Sequence, residues 1–171
     1  MGARSVTFAL IGTALISLVA TASAADKASE RFLTEAIRIS LAELQLGELA
    51  QHKGQSNQVI DLGEALTEDF SLANERLVAI AKDIQVEPPT EPGEKYKKAL
   101  DSLSKQSGPR FDKGFSKYVA EHHKRHIRDF AKATKLPDPV VAGVATSILR
   151  VFQKHLETAQ SLEKTVGQSD R

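Results

Sequence analysis

Residues 32–50, FLTEAIRISLAELQLGELA, decide the fold class of this chain. Apolar side chains recur in this stretch every three or four residues, in the series Phe32, Ala36, Ile39, Leu46 and Ala50. This spacing puts one apolar stripe on a helix, whereas a half-buried strand would alternate at every second residue. The stretch therefore predicts an amphipathic helix that packs its stripe into a core, and similar spacing recurs through most of the chain.

The breaks in this spacing predict four long helices and one short helix. Gly54 interrupts the first helical pattern, and Ser56, a residue type that caps helix N-termini, opens the second. Residues 86–93, VEPPTEPG, cannot be helical because three prolines remove backbone donors and fix φ. The long helices are predicted over residues 27–52, 56–84, 110–135 and 140–166, and the short helix over residues 96–105.

The connections between these helices predict how they are arranged. The turn at residues 52–55 is too short for anything but an antiparallel pair, and the proline turn at residues 137–139 joins a second such pair. We therefore predict an all-α fold, an up-down-up-down four-helix bundle. Gly47 and Gly63 lie inside helices, and we interpret them as points where two helices approach closely.

The N-terminus has the pattern of a secretory signal. Arg4 precedes an apolar run over residues 6–20, and Ala22 and Ala24 fit the small-x-small pattern of a cleavage site. We predict cleavage after Ala24 and a periplasmic or secreted domain over residues 25–171. The rival interpretation is an uncleaved anchor of about 20 residues, through which alone the chain would contact a membrane.

Charge and composition exclude several classes of function. The chain has 23 basic and 22 acidic residues, and cleavage removes only one charge, from Arg4, so the mature chain is formally neutral. Such a chain has no overall field that attracts nucleic acid, so we expect an unknown protein or a small ligand as partner. The absence of cysteine excludes a lipid-anchored lipoprotein, disulfides and thiol chemistry. No motif of a hydrolase or transferase is found, and we expect no catalytic residues.

Ionisable side chains interrupt the apolar stripes. Glu43 interrupts the stripe of the first helix, Asp69 that of the second and His155 that of the fourth. On the third helix, helical spacing places three histidines near the apolar face and ranks His126 nearest its centre. Asp112 lies close to the same face, near the start of that helix. The candidate site comprises Glu43, Asp69, Asp112, His155 and one or two of His122, His123 and His126.

This constellation has two interpretations. Carboxylates and imidazoles on four helices suit a transition metal such as Fe, Zn, Mn or Cu. They also suit a buried network without metal, because carboxylates opposite protonated histidines compensate each other's burial, and the residue types favour this network. The basic run at residues 117–128 is either an anion-binding or pH-sensing strip or, more commonly, a solvated helix face.

Four blocks of the chain resemble the signatures of a known family. They are Ala42-Glu43-x-x-Leu46-Gly47-x-Leu49-Ala50, Asp69-x-Ser71-x-Ala73-Asn74-x-x-Leu77, Phe111-Asp112 followed by His123, Ile127 and Phe130, and His155-Leu156. Over residues 32–162 the chain is similar to exported bacterial proteins with a ferritin-like four-helix fold, catalogued as domain of unknown function 4142.

The resemblance implies a ferritin-like fold and favours His123, with His122 and His126 as second choices. The chain departs from the family pattern at Phe70, where a histidine is usual, and at Phe115, where a tyrosine is usual, which weakens the case for metal. The resemblance supplies no reaction. We expect a non-enzymatic envelope protein, a binding or stress-related module. The alternatives are a metal-binding redox or metal-handling protein of ferritin-like type, and a bundle that docks a partner through an exposed apolar patch.

Overall fold

The computed structural model describes the backbone of residues 14–169 and the side chains of residues 27–165. Five helices form this part: α1 (Ala14–Lys53), α2 (Asn57–Asp83), α3 (Glu94–Ser104), α4 (Gly108–Ala133) and α5 (Pro139–Ser169). The predicted all-α fold is confirmed, and the predicted bounds agree within three residues except at the start of α1. Among the described residues, no helix combines the length and the hydropathy that a membrane crossing requires.

The predicted signal segment falls partly outside this description. Residues 1–13 are not among the described residues, and α1 already begins at Ala14, before the predicted cleavage site after Ala24. Helical structure is compatible both with a signal and with an anchor, so cleavage after Ala24 remains a prediction.

Local chemistry fixes the helix ends where the sequence predicted them. The backbone N–H of Val59 donates to the hydroxyl of Ser56 at 3.4 Å, which confirms Ser56 as the N-cap of α2. After α2 the chain turns through Gln85, whose φ of 62° lies in the left-handed region. At the start of α5, Asp138 accepts hydrogen bonds from the backbone of Val140 at 2.8 Å and Val141 at 3.0 Å.

The order of helix directions differs from the prediction. α1 packs along α2, α4 along α5, and α2 along α5. α4 begins at the turn between α1 and α2, where Asp112 accepts hydrogen bonds from the backbone of Gln55 and Ser56. α4 ends near Phe32 of α1, whose ring lies 5.1 Å from that of Phe130. α4 is therefore parallel to α2, and the bundle is up-down-down-up; the predicted up-down-up-down order is wrong.

Helix α3 is the reason for this difference. The hydroxyl of Tyr96, in the first turn of α3, donates to Glu35 near the middle of α1 at 3.0 Å. At the other end of α3, the ammonium of Lys53 donates to the carbonyl of Ser104. α3 thus runs alongside α1 and returns the chain to the turn end of the bundle before α4 begins.

Helices α1 and α2 cross closely at their glycines. A Cβ added at Gly47 would lie 2.6 Å from the carbonyl oxygen of Gly63, and one at Gly63 would lie 2.8 Å from the Cβ of Ala50. Real Cβ atoms do not approach so closely without a shift of the backbone. The prediction of a close approach at these two glycines is confirmed.

The core contains more aromatic volume than the low aromatic content suggests. Five phenylalanines are almost completely buried: Phe70, Phe111, Phe115, Phe130 and Phe152. The ring of Phe152 lies 5.1 Å from the rings of both Phe70 and Phe130. These three rings form the apolar wall beside the interior histidines.

Candidate functional site

Glu43 of α1 is buried inside the bundle and faces α4. Its carboxylate lies 3.2 Å from the Nε2 atom of His123, which is completely buried. Burial raises the pKa of Glu43, but the facing histidines, His123 first, lower it by more, and the pKa is below its ordinary value. Glu43 is therefore ionised at neutral pH and accepts a hydrogen bond from the Nε2–H of His123.

His126 lies one turn further along α4, on the other side of the same carboxylate. Its Nε2 atom is 3.9 Å from Glu43, which is too long for a hydrogen bond. Burial lowers the pKa of His126 to about 4, with Glu43 opposing the shift and His123 and His122 adding to it. The ring is therefore neutral at neutral pH, and its buried Nε2 has no hydrogen-bond partner among the described residues.

His155 and Asp69 form a second pair between α5 and α2. The Nε2 atom of His155 lies 2.9 Å from Asp69, whose carboxylate is also 3.3 Å from the ammonium of Lys154. Burial lowers the pKa of His155 to about 4, so the neutral ring donates its Nε2–H to Asp69. Asp69 was predicted in the interior, but 29% of its side chain is exposed, and it lies at the edge of the bundle.

The two pairs meet at the centre of the bundle without a hydrogen bond between them. The ring centroids of His123 and His155 are 5.9 Å apart, and the ring of Phe70 lies 5.9 Å from that of His155. Within the described part of the chain, the Nδ1 atoms of both histidines are buried without a partner. On the neutral ring of His155 this nitrogen is a bare acceptor, which is less costly to leave unpaired than a charged donor.

Asp112 does not join this cluster, which corrects its place in the predicted site. Its two carboxylate oxygens each lie 2.9 Å from a backbone nitrogen, those of Gln55 and Ser56. It precedes His123 by eleven residues on α4, a rise of about 16 Å. Asp112 therefore binds the turn at the end of the bundle.

The three candidate histidines of α4 have different surroundings. His123 and His126 are buried, whereas His122 is partly exposed and its ring stacks on that of Tyr118 at 3.8 Å. Burial, with Arg125 adding to it, lowers the pKa of His122. Helical spacing ranked His126 first and the family resemblance favoured His123, and both side chains are buried. Of the three histidines, His123 alone hydrogen-bonds to Glu43.

A pocket of about 190 Å³ opens beside His126, between α1, α3 and α4. Its apolar lining comes from two phenylalanines, a tyrosine and two aliphatic residues, and its polar lining includes both His122 and His126. The lining residues are Phe32, Glu35, Ala36, Ile39, Lys95, Tyr96, His122, Arg125, His126, Asp129 and Phe130. The bundle thus has an accessible cavity whose inner wall is one of the buried histidines.

Sequence reasoning missed the contribution of α3 to this pocket. Tyr96 packs with its ring 6.2 Å from that of His126 and donates to Glu35. Burial raises the pKa of Tyr96, and Glu35 raises it further, so the hydroxyl stays protonated. The sequence signal for this contribution was Tyr96 itself, one of two tyrosines in the chain, inside a short polar helix.

A second pocket of about 230 Å³ lies between α2 and α5 and reaches His155. Its lining includes Asp61, Ala65, Lys154 and Thr158. The buried histidines therefore border cavities on two faces of the bundle, one at His126 and one at His155.

A comparison with known families matches residues 17–162 to the profile described as domain of unknown function (DUF4142). The chain belongs to this family. No curated protein and no solved structure matches the chain significantly. The family assignment from the sequence blocks is confirmed, and the DUF4142 description carries no activity.

In this DUF4142 chain the interior donors are arranged in pairs. Among the described side chains, no group of three or more histidines and carboxylates has the arrangement of a metal site. At the departure from the family pattern, Phe70 is 1% exposed and fills the space beside His123 and His155 with an apolar ring. The donor set, with its carboxylates already paired, does not form a closed metal site.

Proposed function

We propose that this chain is an exported, non-enzymatic binding protein of the cell envelope, whose ligand occupies the pocket between α1, α3 and α4. One observation carries the proposal: an open pocket of about 190 Å³ reaches into the bundle as far as the ring of His126, a buried histidine.

The lining of the pocket supports binding of a small molecule. Ligand sites are mostly apolar with a few polar groups that fix orientation, and here Phe32, Ile39 and Phe130 stand beside His126 and Arg125. Sites for drug-sized molecules occupy about 300–1,000 Å³, whereas this pocket holds about 190 Å³. The ligand is therefore smaller than a typical drug or cofactor.

The connectivity supports a ferritin-like bundle, and the N-terminal pattern supports export. α3 provides a single long crossover between α2 and α4, which is the connectivity of ferritin-like bundles. Arg4, the apolar run and the Ala22-Ser23-Ala24 pattern form a secretory signal for a periplasmic or secreted product. A ferritin-like fold by itself implies no iron chemistry.

The binding proposal is tested by filling each pocket in turn. Ala36 lines the pocket at His126, and Ala65 lines the pocket at His155, so Ala36→Phe and Ala65→Phe each fill one of the two pockets. We expect ligand-observed NMR with a set of small neutral and charged organic molecules to find binders that Ala36→Phe abolishes and Ala65→Phe retains. If no molecule binds, or if Ala36→Phe binds as well as the unaltered chain, the proposal is wrong. Thermal unfolding of both variants shows that each has folded.

Metal handling is the second candidate function. The observation that favours it is the set of unpartnered buried nitrogens on His123, His126 and His155 in the described part of the chain, since neutral imidazole nitrogens bind transition metals such as Fe, Zn, Mn or Cu. Metal analysis of protein purified from its native compartment tests it. Near-stoichiometric metal that Glu43→Ala removes would establish the second function and overturn the first.

A further inference from the structure

We propose that the pocket at His126 selects a small carboxylate anion with an apolar body, held through Arg125. This inference rests on the proposed binding function and names the ligand class of the same site. The argument depends on which charges around the pocket are already compensated.

The acidic side chains of the pocket lining have partners. Glu35 forms an ion pair with Lys95 at 2.6 Å and accepts the hydrogen bond of Tyr96. Asp129 forms an ion pair with Lys132 at 3.2 Å. The pocket therefore offers no free carboxylate to a cationic ligand.

Arg125 is the charge that is left. Among the described residues, its guanidinium makes no ion pair and no side-chain hydrogen bond, although it lines the pocket. A guanidinium presents five N–H donors in a planar fork that matches a carboxylate with two parallel hydrogen bonds. The uncompensated charge of the lining is therefore positive and has the geometry that carboxylates fit.

The remaining lining determines the body of the ligand. The rings of Phe32 and Phe130 lie 5.1 Å apart, edge to face, on the wall between α1 and α4. Ala36 and Ile39 continue this wall along α1. An aromatic or short aliphatic group fits this wall, while its carboxylate remains near Arg125 at the exposed side.

Three probes that share one ring but differ in charge test the ligand class: benzoate, benzyl alcohol and benzylamine. Titration of the exported chain, followed by amide NMR shifts around the pocket, gives the three affinities. We expect benzoate to bind about tenfold more tightly than benzyl alcohol and more tightly still than benzylamine.

Two arginine variants show whether the charge acts through the pocket. Arg125→Gln should reduce benzoate affinity to that of benzyl alcohol, while Arg128→Gln, one turn away on the exposed face of α4 and outside the lining, should leave it unchanged. If benzyl alcohol or benzylamine binds as tightly as benzoate, the ligand class is wrong although the binding function stands. Equal losses in both variants would also overturn it, because a general surface field would then act instead of a site. If none of the three probes binds, this inference fails, and the broader screen with Ala36→Phe decides the function.

Discussion

Single buried carboxylates perform different tasks in this bundle, according to what faces them. Glu43 faces imidazoles and binds His123, while Asp112 faces backbone and binds the N–H groups of Gln55 and Ser56. Both are almost fully buried, and burying a carboxylate without hydrogen-bond or ionic partners is costly. Burial of an acidic residue therefore identifies a need for partners and does not identify a ligand site.

The role of Asp112 makes it a stability residue. Asp112→Ala leaves two backbone donors at the α1–α2 turn without their acceptor, and we expect it to lower the free energy of unfolding by about 1–3 kcal/mol. Asp61→Ala, on an exposed position of α2, is the control and should change it by less than about 0.5 kcal/mol. Chemical denaturation measures both. A loss no larger for Asp112→Ala than for Asp61→Ala would show that these hydrogen bonds do not hold the turn.

Helical spacing predicted the radial positions of the polar side chains but not their heights in the bundle. Residues three apart on a helix share a face, so His123 and His126 are buried together. Which carboxylates they meet depends on the direction and offset of neighbouring helices. That is why Glu43 was placed correctly with the histidines and Asp112 was not.

Helices α1 and α2 are held by a close crossing at Gly47 and Gly63, whereas Gly143 of α5 has open space around it. A Cβ at Gly47 would lie 2.5 Å from the Thr67 hydroxyl and 2.6 Å from the Gly63 carbonyl oxygen, whereas one at Gly143 would meet nothing within 4 Å. The same substitution therefore has opposite effects at the two positions.

We expect Gly47→Ala to destabilise the protein by about 1–3 kcal/mol, because the helices must separate. Gly143→Ala should stabilise it by about 0.5–1 kcal/mol, because alanine costs less entropy in a helix than glycine does. Thermal or chemical unfolding of the two variants measures this difference. Destabilisation of equal size at both positions would contradict the close-crossing argument.

The elements themselves follow from local sequence, and their order in space does not. The proline-rich residues 86–93, the cap at Ser56 and the apolar spacing act within a few residues, so the helices could be predicted. The direction of α4 depends on α3, whose hold on α1 comes from Tyr96 and Lys53, 43 residues apart in the chain. No local pattern contains that contact, and the predicted topology was wrong for this reason.

On the scale of the whole molecule, the buried histidines link stability to pH. His126 and His155 lie on different helices, and burial lowers the pKa of each from 6.5 to about 4. In the unfolded chain both would titrate near the ordinary value. The folded state therefore binds fewer protons than the unfolded state between about pH 6.5 and pH 4, and stability must fall as the pH falls through this window.

We expect the contribution of His126 and His155 to the free energy of unfolding to be constant above about pH 6.5. As the pH falls from 6.5 to about 4, this contribution should decrease. A shift from 6.5 to about 4 corresponds to about 3 kcal/mol for each histidine as an upper limit. Urea denaturation at a series of pH values measures the slope, and the double variant with His126→Gln and His155→Gln should flatten it. His52→Gln, on the exposed end of α1, should leave it as it is. If the stability of the unaltered chain stays flat across this window, the two rings are not buried in the neutral form. A flat profile requires a folded state that takes up protons as readily as the unfolded chain does.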